Sequence, residues 1–504
     1  MLSTVKLKNF KSFSELENLN LKPITVLCGT NSCGKSSILQ SILLLKQTKE
    51  GRSSNQSLLL NGKYIHLGDI QNLIYGHDKN KTVSITYQYD FKIEGYYQNR
   101  RNRHRPSIAH LFKYLLSSEM RKIKKAEHSL SLSIDLKVSD KNKGYIKTSD
   151  ILSYKIQIST KSPDGTVTKG IEASITHINN DFVLQWENVH HAIRKDAKLK
   201  AGSVSRVSVS FENLFPFIEI RGPENFEETF DAIPYEVQHV FRAVDDFITT
   251  INESVTYVGP LREEPSRRYI YENEVLEIGS KGENAAYIYQ TEQDESIEEH
   301  HFFDKATDSF VYKKEIKLKD ALKQWFELMN IKGFEPNYQS EIIRLQMDTN
   351  SDCEAKVNIA DVGFGVSQIF PILLEGLRMQ KNGTLLLEQP EIHLHPNLQM
   401  QMADYFISLA LSNKNLIIET HSDHIINRLV RRIVEGKHKE LNNLISIYFV
   451  SNTNQGAKLE EIVIDPARGI ANWPEGFFDQ TATEQEKIML AGIKRRKMNR
   501  ENVK

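Results

Sequence analysis

The sequence predicts an α/β fold in which a mixed sheet, with helices on both faces, carries a phosphate-binding loop. Three observations support that expectation. Residues Gly29-Thr30-Asn31-Ser32-Cys33-Gly34-Lys35-Ser36 fit the pattern G-x-x-x-x-G-K-[ST]. They follow a short apolar run, Ile24–Cys28, and precede a helix-like stretch, Ser37–Leu45, which is the strand–loop–helix setting such a loop requires. From residue 341 onward apolar runs and helical patterns alternate, as in a parallel sheet covered by helices.

The loop explains its own chemistry. Backbone N–H groups of Asn31, Ser32, Cys33, Gly34 and Ser37 can cradle phosphate oxygens at the positive end of a helix. Lys35 supplies a point charge for the outer phosphates of a nucleoside triphosphate, and the Ser36 hydroxyl can ligate Mg²⁺. The bland alternative, a chance glycine turn before a helix, would not be expected to show this spacing with both flanks correct.

Composition sets the remaining bounds. Lysine plus arginine and aspartate plus glutamate both number 65 in 504 residues, so any nucleic-acid surface must be local. Three cysteines, Cys28, Cys33 and Cys353, show no paired spacing, which is expected of a reducing, cytoplasmic compartment. The first eight residues alternate like a strand and unlike a signal peptide, and no apolar stretch reaches the ~18 residues of a membrane helix.

Four segments follow from texture. Residues 1–80 hold the loop, its helix and an Asn61-Gly62 turn that reads as a hairpin over Leu58–Gly68. Residues 81–225 are alternating and β-branched, interrupted by a basic segment. Residues 226–340 are mainly helical, with a strand at Val255–Val258 and an acidic surface loop at 292–299. Residues 341–504 return to α/β alternation and end in a basic tail. No internal repeat and no long heptad run is present.

Hydrolysis needs more than one loop, and three downstream features could complete it. A Gly-rich turn, Asp361–Gln368, opens the apolar helix Ile369–Leu377. The run Thr384–Leu387 ends in Glu388, which puts a carboxylate at the sheet's carboxyl edge, where it could hold Mg²⁺. The run Leu416–Glu419 delivers His421 at the same edge, where an imidazole could contact a γ-phosphate or the lytic water. His393 and His395 allow a zinc reading, but the phosphate site already accounts for the acidic strand end.

With these blocks in place, the chain resembles the ABC-type ATPase heads of the RecF, SMC and OLD families, placed among AAA-family ATPases. Leu7–Phe13 resembles their first strand and turn, which implies adenine contacts at Asn9 and Lys11. Gly363–Gln368 resembles a degenerate signature, implying nucleotide contacts from Gly365, Ser367 and Gln368. Leu385–Glu391 resembles Walker B, with Glu388, Gln389 and Glu391 in the place of its trailing tail, and Thr420-His421-Ser422 resembles the switch histidine. Gln71 is the Q-loop candidate. The resemblance implies an ABC-type head with an inserted β-rich and helical region and no long coiled-coil arm. It further implies a homodimer, or a higher even-numbered oligomer, that shares nucleotide across its interface. Where the family carries a catalytic glutamate, this sequence has Gln389, whose amide orients water without accepting its proton, so slow turnover is expected.

Tyr257–Glu263 and Asn472–Gln480 resemble a narrower group, the ATPases of Septu-type bacterial anti-phage systems. That implies a sensor or regulator whose effector, a nuclease or toxin, is separately encoded. The alternative is a RecF-like DNA-repair ATPase that binds DNA through Arg100–Arg105 or Lys494–Arg500. The triplets Asp135-Leu136-Lys137 and Glu315-Ile316-Lys317 hint at a built-in nuclease, but isolated triplets are common in a charged chain.

Overall fold

The structure, a computed structural model, describes residues 1–51, 57–92, 116, 125–139, 149–178, 181–190, 198–199, 201–220, 233–270, 277–339, 342–348, 356–362, 364–474, 476–478 and 480–501. Its organising element is a six-stranded sheet. Strands run in the order Val255–Val258, Thr384–Glu388, Asn415–Glu419, Ile24–Gly29, Ile445–Thr453 and Gly456–Glu461. The first five are parallel, and the sixth closes the edge as an antiparallel hairpin. Both faces of this sheet are covered, so the strands read as unbroken apolar runs. Leu27, Leu386 and Ile417 point into one core; Val26, Leu387 and Ile418 point into the other.

The helix Lys35–Glu50 leaves the phosphate loop and is buried along most of its length. It lies against the helix Tyr235–Glu253. The far side of that layer is a nine-stranded antiparallel sheet, which contains the alternating segments of 83–220 and also the first two strands, Leu2–Phe10 and Phe13–Asn20. Its inward aromatic side chains pack on the same helix: Phe247 meets Tyr89 and Phe91, and Phe241 meets Tyr154. The helices Phe364–Arg378, Pro396–Leu411 and Asp423–Val434 cover the opposite face of the six-stranded sheet. A hairpin, Ser296–Asp304 with Ser309–Lys317, and the helix Leu318–Leu328 pack beyond them. The fold is therefore mixed α/β with helices on both faces, and no long coiled-coil arm occurs among the described residues. No helix of these is long and apolar enough to cross a membrane.

Two local expectations change. Leu58–Gly68 is not a two-stranded hairpin; one bridge, Asn61 with His66, closes it. Two backbone bonds flank that bridge, Gly62 N–H to the Ile65 carbonyl and Leu67 N–H to the Leu60 carbonyl, and Gln47 adds two more, accepting from the Ile65 N–H and donating to the Leu59 carbonyl. The supposed acidic loop at 292–299 is half strand, because Ile297 is buried and Ser296–Glu299 begin the hairpin. The basic residues between Arg100 and Lys124, Cys353 and Gly363 lie outside the described residues.

Candidate functional site

The phosphate loop is held by two glycines that no other residue could replace. Gly29 has φ +143°, and a Cβ there would sit 2.0 Å from the Val450 carbonyl oxygen. Gly34 has φ +102°, and its Cβ would meet the Ser12 side chain at 2.9 Å. Lys35 curls over the loop and donates to the carbonyls of Thr30 (2.7 Å) and Gly29 (3.2 Å). Those are contacts an incoming phosphate can replace with a full negative charge.

Ser36 finds a partner the sequence reading did not name. Its hydroxyl donates to Glu419 at 2.9 Å, and Glu419 lies level with Glu388 on the neighbouring strand. Glu388 in turn accepts from the Tyr257 hydroxyl at 3.0 Å. Burial raises Glu388 to about 7, the Glu419 charge adds to this, and the Tyr257 bond opposes it. Glu419 is also raised by burial. Two buried carboxylates that repel each other beside a serine hydroxyl form a hard-oxygen donor set, which suits Mg²⁺.

Gln389 adopts φ +46°, its N–H donates to the Glu419 carbonyl at 2.7 Å, and it lines the cavity. Arg262, only 5% exposed, fixes this turn from behind by donating to the carbonyls of Gln389 (2.9 Å) and Glu388 (3.3 Å). Glu391 accepts from the Thr420 hydroxyl at 2.8 Å and the His421 N–H at 2.7 Å. Burial and then the Lys35 charge hold His421 below its ordinary value, so the imidazole is neutral at pH 7.

These groups open onto a cavity of about 390 Å³ lined by Lys11, Ser12, Asn31, Ser32, Cys33, Gly34, Lys35, Ser36, Ser37, Gln40, Gln389, Glu419 and His421. That volume lies within the range of small-ligand sites. Lys11 donates to Gln40 at 2.6 Å across its mouth. Glu388 and Glu391 sit just behind the wall. The other residues named from sequence lie elsewhere. Asn9 donates to the Thr82 carbonyl, and Gln71 to the His77 carbonyl. Gly365 is half-buried at the helix start, whereas Ser367 and Gln368 are buried, Ser367 in a separate small cavity beside Glu263 and Lys281. His395 caps a helix, its Nδ1 accepting from the Asn397 N–H, and no cluster of three or more metal-ligating side chains occurs among the described residues.

Glu419 was legible in principle, since it closes an apolar strand as Glu388 does. Tyr257 and Arg262 lie in the Tyr257–Glu263 block, but only the strand pairing brings that block to the Glu388 turn.

A stretch of 92 residues is 35% identical to an uncharacterized protein of Methanocaldococcus jannaschii, covering 17% of this chain and 42% of that relative. Among solved structures, an SMC head bound to the C-winged helix domain of ScpA aligns with TM-score 0.38 and 11% identity, over 92% of this chain and 98% of that one. The SMC head domain from Thermotoga maritima aligns with TM-score 0.37 and 10% identity, over 92% and 99%. Residues 442–488 match a family of proteins of unknown function, DUF3696. Residues 1–426 match the AAA ATPase domain model, so this chain belongs to the AAA ATPase domain family.

Proposed function

We propose that the chain binds ATP with Mg²⁺ in this cavity and hydrolyses it slowly, and that two copies close over the nucleotide. The observation that carries the reading is the convergence of Lys35, Ser36, Gln389, Glu419 and His421, from three adjacent strands, on one cavity. Loop N–H groups and Lys35 bind the phosphates. Ser36, Glu419 and Glu388 would hold Mg²⁺, which supplies charge neutralisation at the phosphates. Gln389 orients the attacking water, and neutral His421 contacts the terminal phosphate. Glu391 is fully engaged with Thr420 and the His421 N–H, so it positions His421 rather than acting as the base.

Slow turnover follows from an amide where a carboxylate would accept the proton. Gln389→Glu is therefore expected to raise phosphate release by about tenfold or more, while Lys35→Ala abolishes it. Release that is unchanged in Lys35→Ala refutes the site. For closure, the surface on offer is the turn at Gly365, because Ser367 is buried. Gly365→Arg should leave ATP binding intact and remove ATP-dependent dimerisation; a dimer that persists refutes this arrangement.

The wider role follows from the resemblance of Tyr257–Glu263 and Asn472–Gln480: a regulator of an anti-phage complex whose catalytic output belongs to a separately encoded effector. Recovery of the tagged chain from its native cells without an effector protein would contradict that role.

A further inference from the structure

His421 sits in a short loop, 420–422, that is clamped at two points to the neighbouring turn, 389–395. The inner clamp is Glu391, which accepts from the Thr420 hydroxyl and the His421 N–H. The outer clamp is Gln399, which stands outside the cavity wall. Its Oε1 accepts from the Ser422 hydroxyl at 2.6 Å, and its Nε2 donates to the Leu394 carbonyl at 2.9 Å. This orientation of the amide is forced, because the Leu394 carbonyl can only accept and so takes the N–H. Neither a charged nor an apolar side chain of the same length offers both a donor and an acceptor, so the bridge needs this amide.

The turn leads from the nucleotide cavity to the surface on offer for closure. Gln389 lines the cavity at its near end. The Ile392 N–H donates to the Gln389 carbonyl at 3.3 Å and the Leu394 N–H to the Glu391 carbonyl at 3.0 Å, so the turn is a hydrogen-bonded unit. Its far end lies beside Gly365, where an added Cβ would come 3.7 Å from the His393 carbonyl oxygen and 4.0 Å from the Leu394 side chain. Leu394 is buried, so it cannot shift without carrying its neighbours. On the other side of the bridge, the Ser422 hydroxyl accepts from the Ile425 N–H at 3.1 Å and caps the helix Asp423–Val434. His421 and Gly365 are thus joined by groups in continuous contact.

We infer that Gln399 is a positioning residue that reports the terminal phosphate of ATP to the closing surface, an inference that rests on the nucleotide reading above. With ATP bound, contact with that phosphate fixes His421 and, through the chain, Ser422. Gln399 then holds the Leu394 carbonyl, and with it the turn beside Gly365, in the arrangement that a second copy meets. With ADP the phosphate is missing, His421 is released and the turn loosens. Gln399 itself touches no nucleotide, so its loss spares ATP binding and erases the difference between ATP and ADP at the surface. Glu391 differs in kind, because it holds the His421 N–H directly.

The test uses the full chain carrying Gly365→Arg, which keeps copies apart so that closure itself cannot protect the turn. ATP affinity is read by isothermal titration. Amide hydrogen exchange of residues 392–397 is read with Mg²⁺–ATP and with Mg²⁺–ADP. In this parent chain ATP should slow exchange of the turn by about fivefold or more relative to ADP, the low end of ordinary coupling between sites. Gln399→Met keeps length and helix propensity but neither polar group. Gln399→Glu keeps the acceptor for Ser422 and withdraws the donor from the Leu394 carbonyl. Both should abolish the ATP–ADP difference while ATP affinity stays unchanged. A difference that survives in either variant, or weaker ATP binding in both, overturns the inference. A parent that binds ATP yet shows no difference overturns it alone, whereas a parent that binds no ATP refutes the nucleotide reading and this inference with it.

Discussion

The six-stranded sheet around Ile24–Gly29 buries both faces of its parallel strands, whereas the nine-stranded sheet alternates buried and half-exposed residues along antiparallel ones. In the first, polar residues appear where strands end, so Glu388, Glu419 and the phosphate loop meet at one carboxyl edge. In the second, polar residues run along the strands as ladders, such as Thr86 with Ser133 at 2.9 Å, and converge on no point. Parallel connectivity concentrates chemistry; antiparallel alternation spreads it over a face. Substitutions in the two sheets should therefore differ in kind. Those at the parallel edge should change turnover, and those in the antiparallel sheet should change stability.

The largest expected effect is at the edge. Lys35→Ala should lower phosphate release by about 10³-fold, the scale of losing a charge at a transferring phosphoryl group. Melting should be little changed, as a steady-state assay beside calorimetry will show.

Next comes a purely structural effect in the other sheet. His128 is 2% exposed and its Nδ1 pairs with the Thr160 hydroxyl at 2.9 Å, and burial lowers it to about 4. The unfolded chain takes up this proton near the ordinary value of about 6.5, ahead of the folded one. Stability is thus fully present above pH 6.5 and is lost as pH falls toward 4. The loss should be about 2 kcal/mol. Denaturant melts at pH 7 and pH 4.5 should diverge in the wild type and diverge less, by about that amount, in His128→Gln, because His300, which burial lowers to about 3, still contributes; turnover at pH 7 should be unchanged in both.

A smaller effect should appear behind the site. Arg262→Ala frees the carbonyls of Glu388 and Gln389 and should lower kcat by about tenfold with ATP affinity nearly constant. A loss in affinity instead would show that Arg262 shapes the nucleotide pocket directly. The smallest effect belongs to the half-exposed Lys155–Glu172 pair of the antiparallel sheet. Lys155→Ala should shift stability by less than about 0.5 kcal/mol and leave turnover untouched.

Much of the parallel half was legible because its signals are local. The loop spacing, the apolar run before it and the acids closing Leu385–Glu388 and Leu416–Glu419 each lie within ten residues. The rest depends on pairing. Nothing near Leu2–Phe10 shows that it joins Val83–Phe91, so the first strands read as part of the ATPase head alone. The Ser36–Glu419 bond spans 383 positions, and the Arg262 contact with Gln389 spans 127. The expected hairpin at Leu58–Gly68 shrank to one bridge flanked by two backbone bonds, Gly62 N–H to the Ile65 carbonyl and Leu67 N–H to the Leu60 carbonyl, with Gln47 joining from the neighbouring helix.

The central claim is that Lys35 and the Ser36–Glu419 pair act together on one magnesium–nucleotide complex. Isothermal titration of ATP into the wild type, Lys35→Ala and Glu419→Gln, each with and without Mg²⁺, tests it most directly. The account requires binding that Mg²⁺ strengthens in the wild type, that loses this dependence in Glu419→Gln, and that vanishes in Lys35→Ala. Equal affinity in all three chains, with or without the metal, would contradict it.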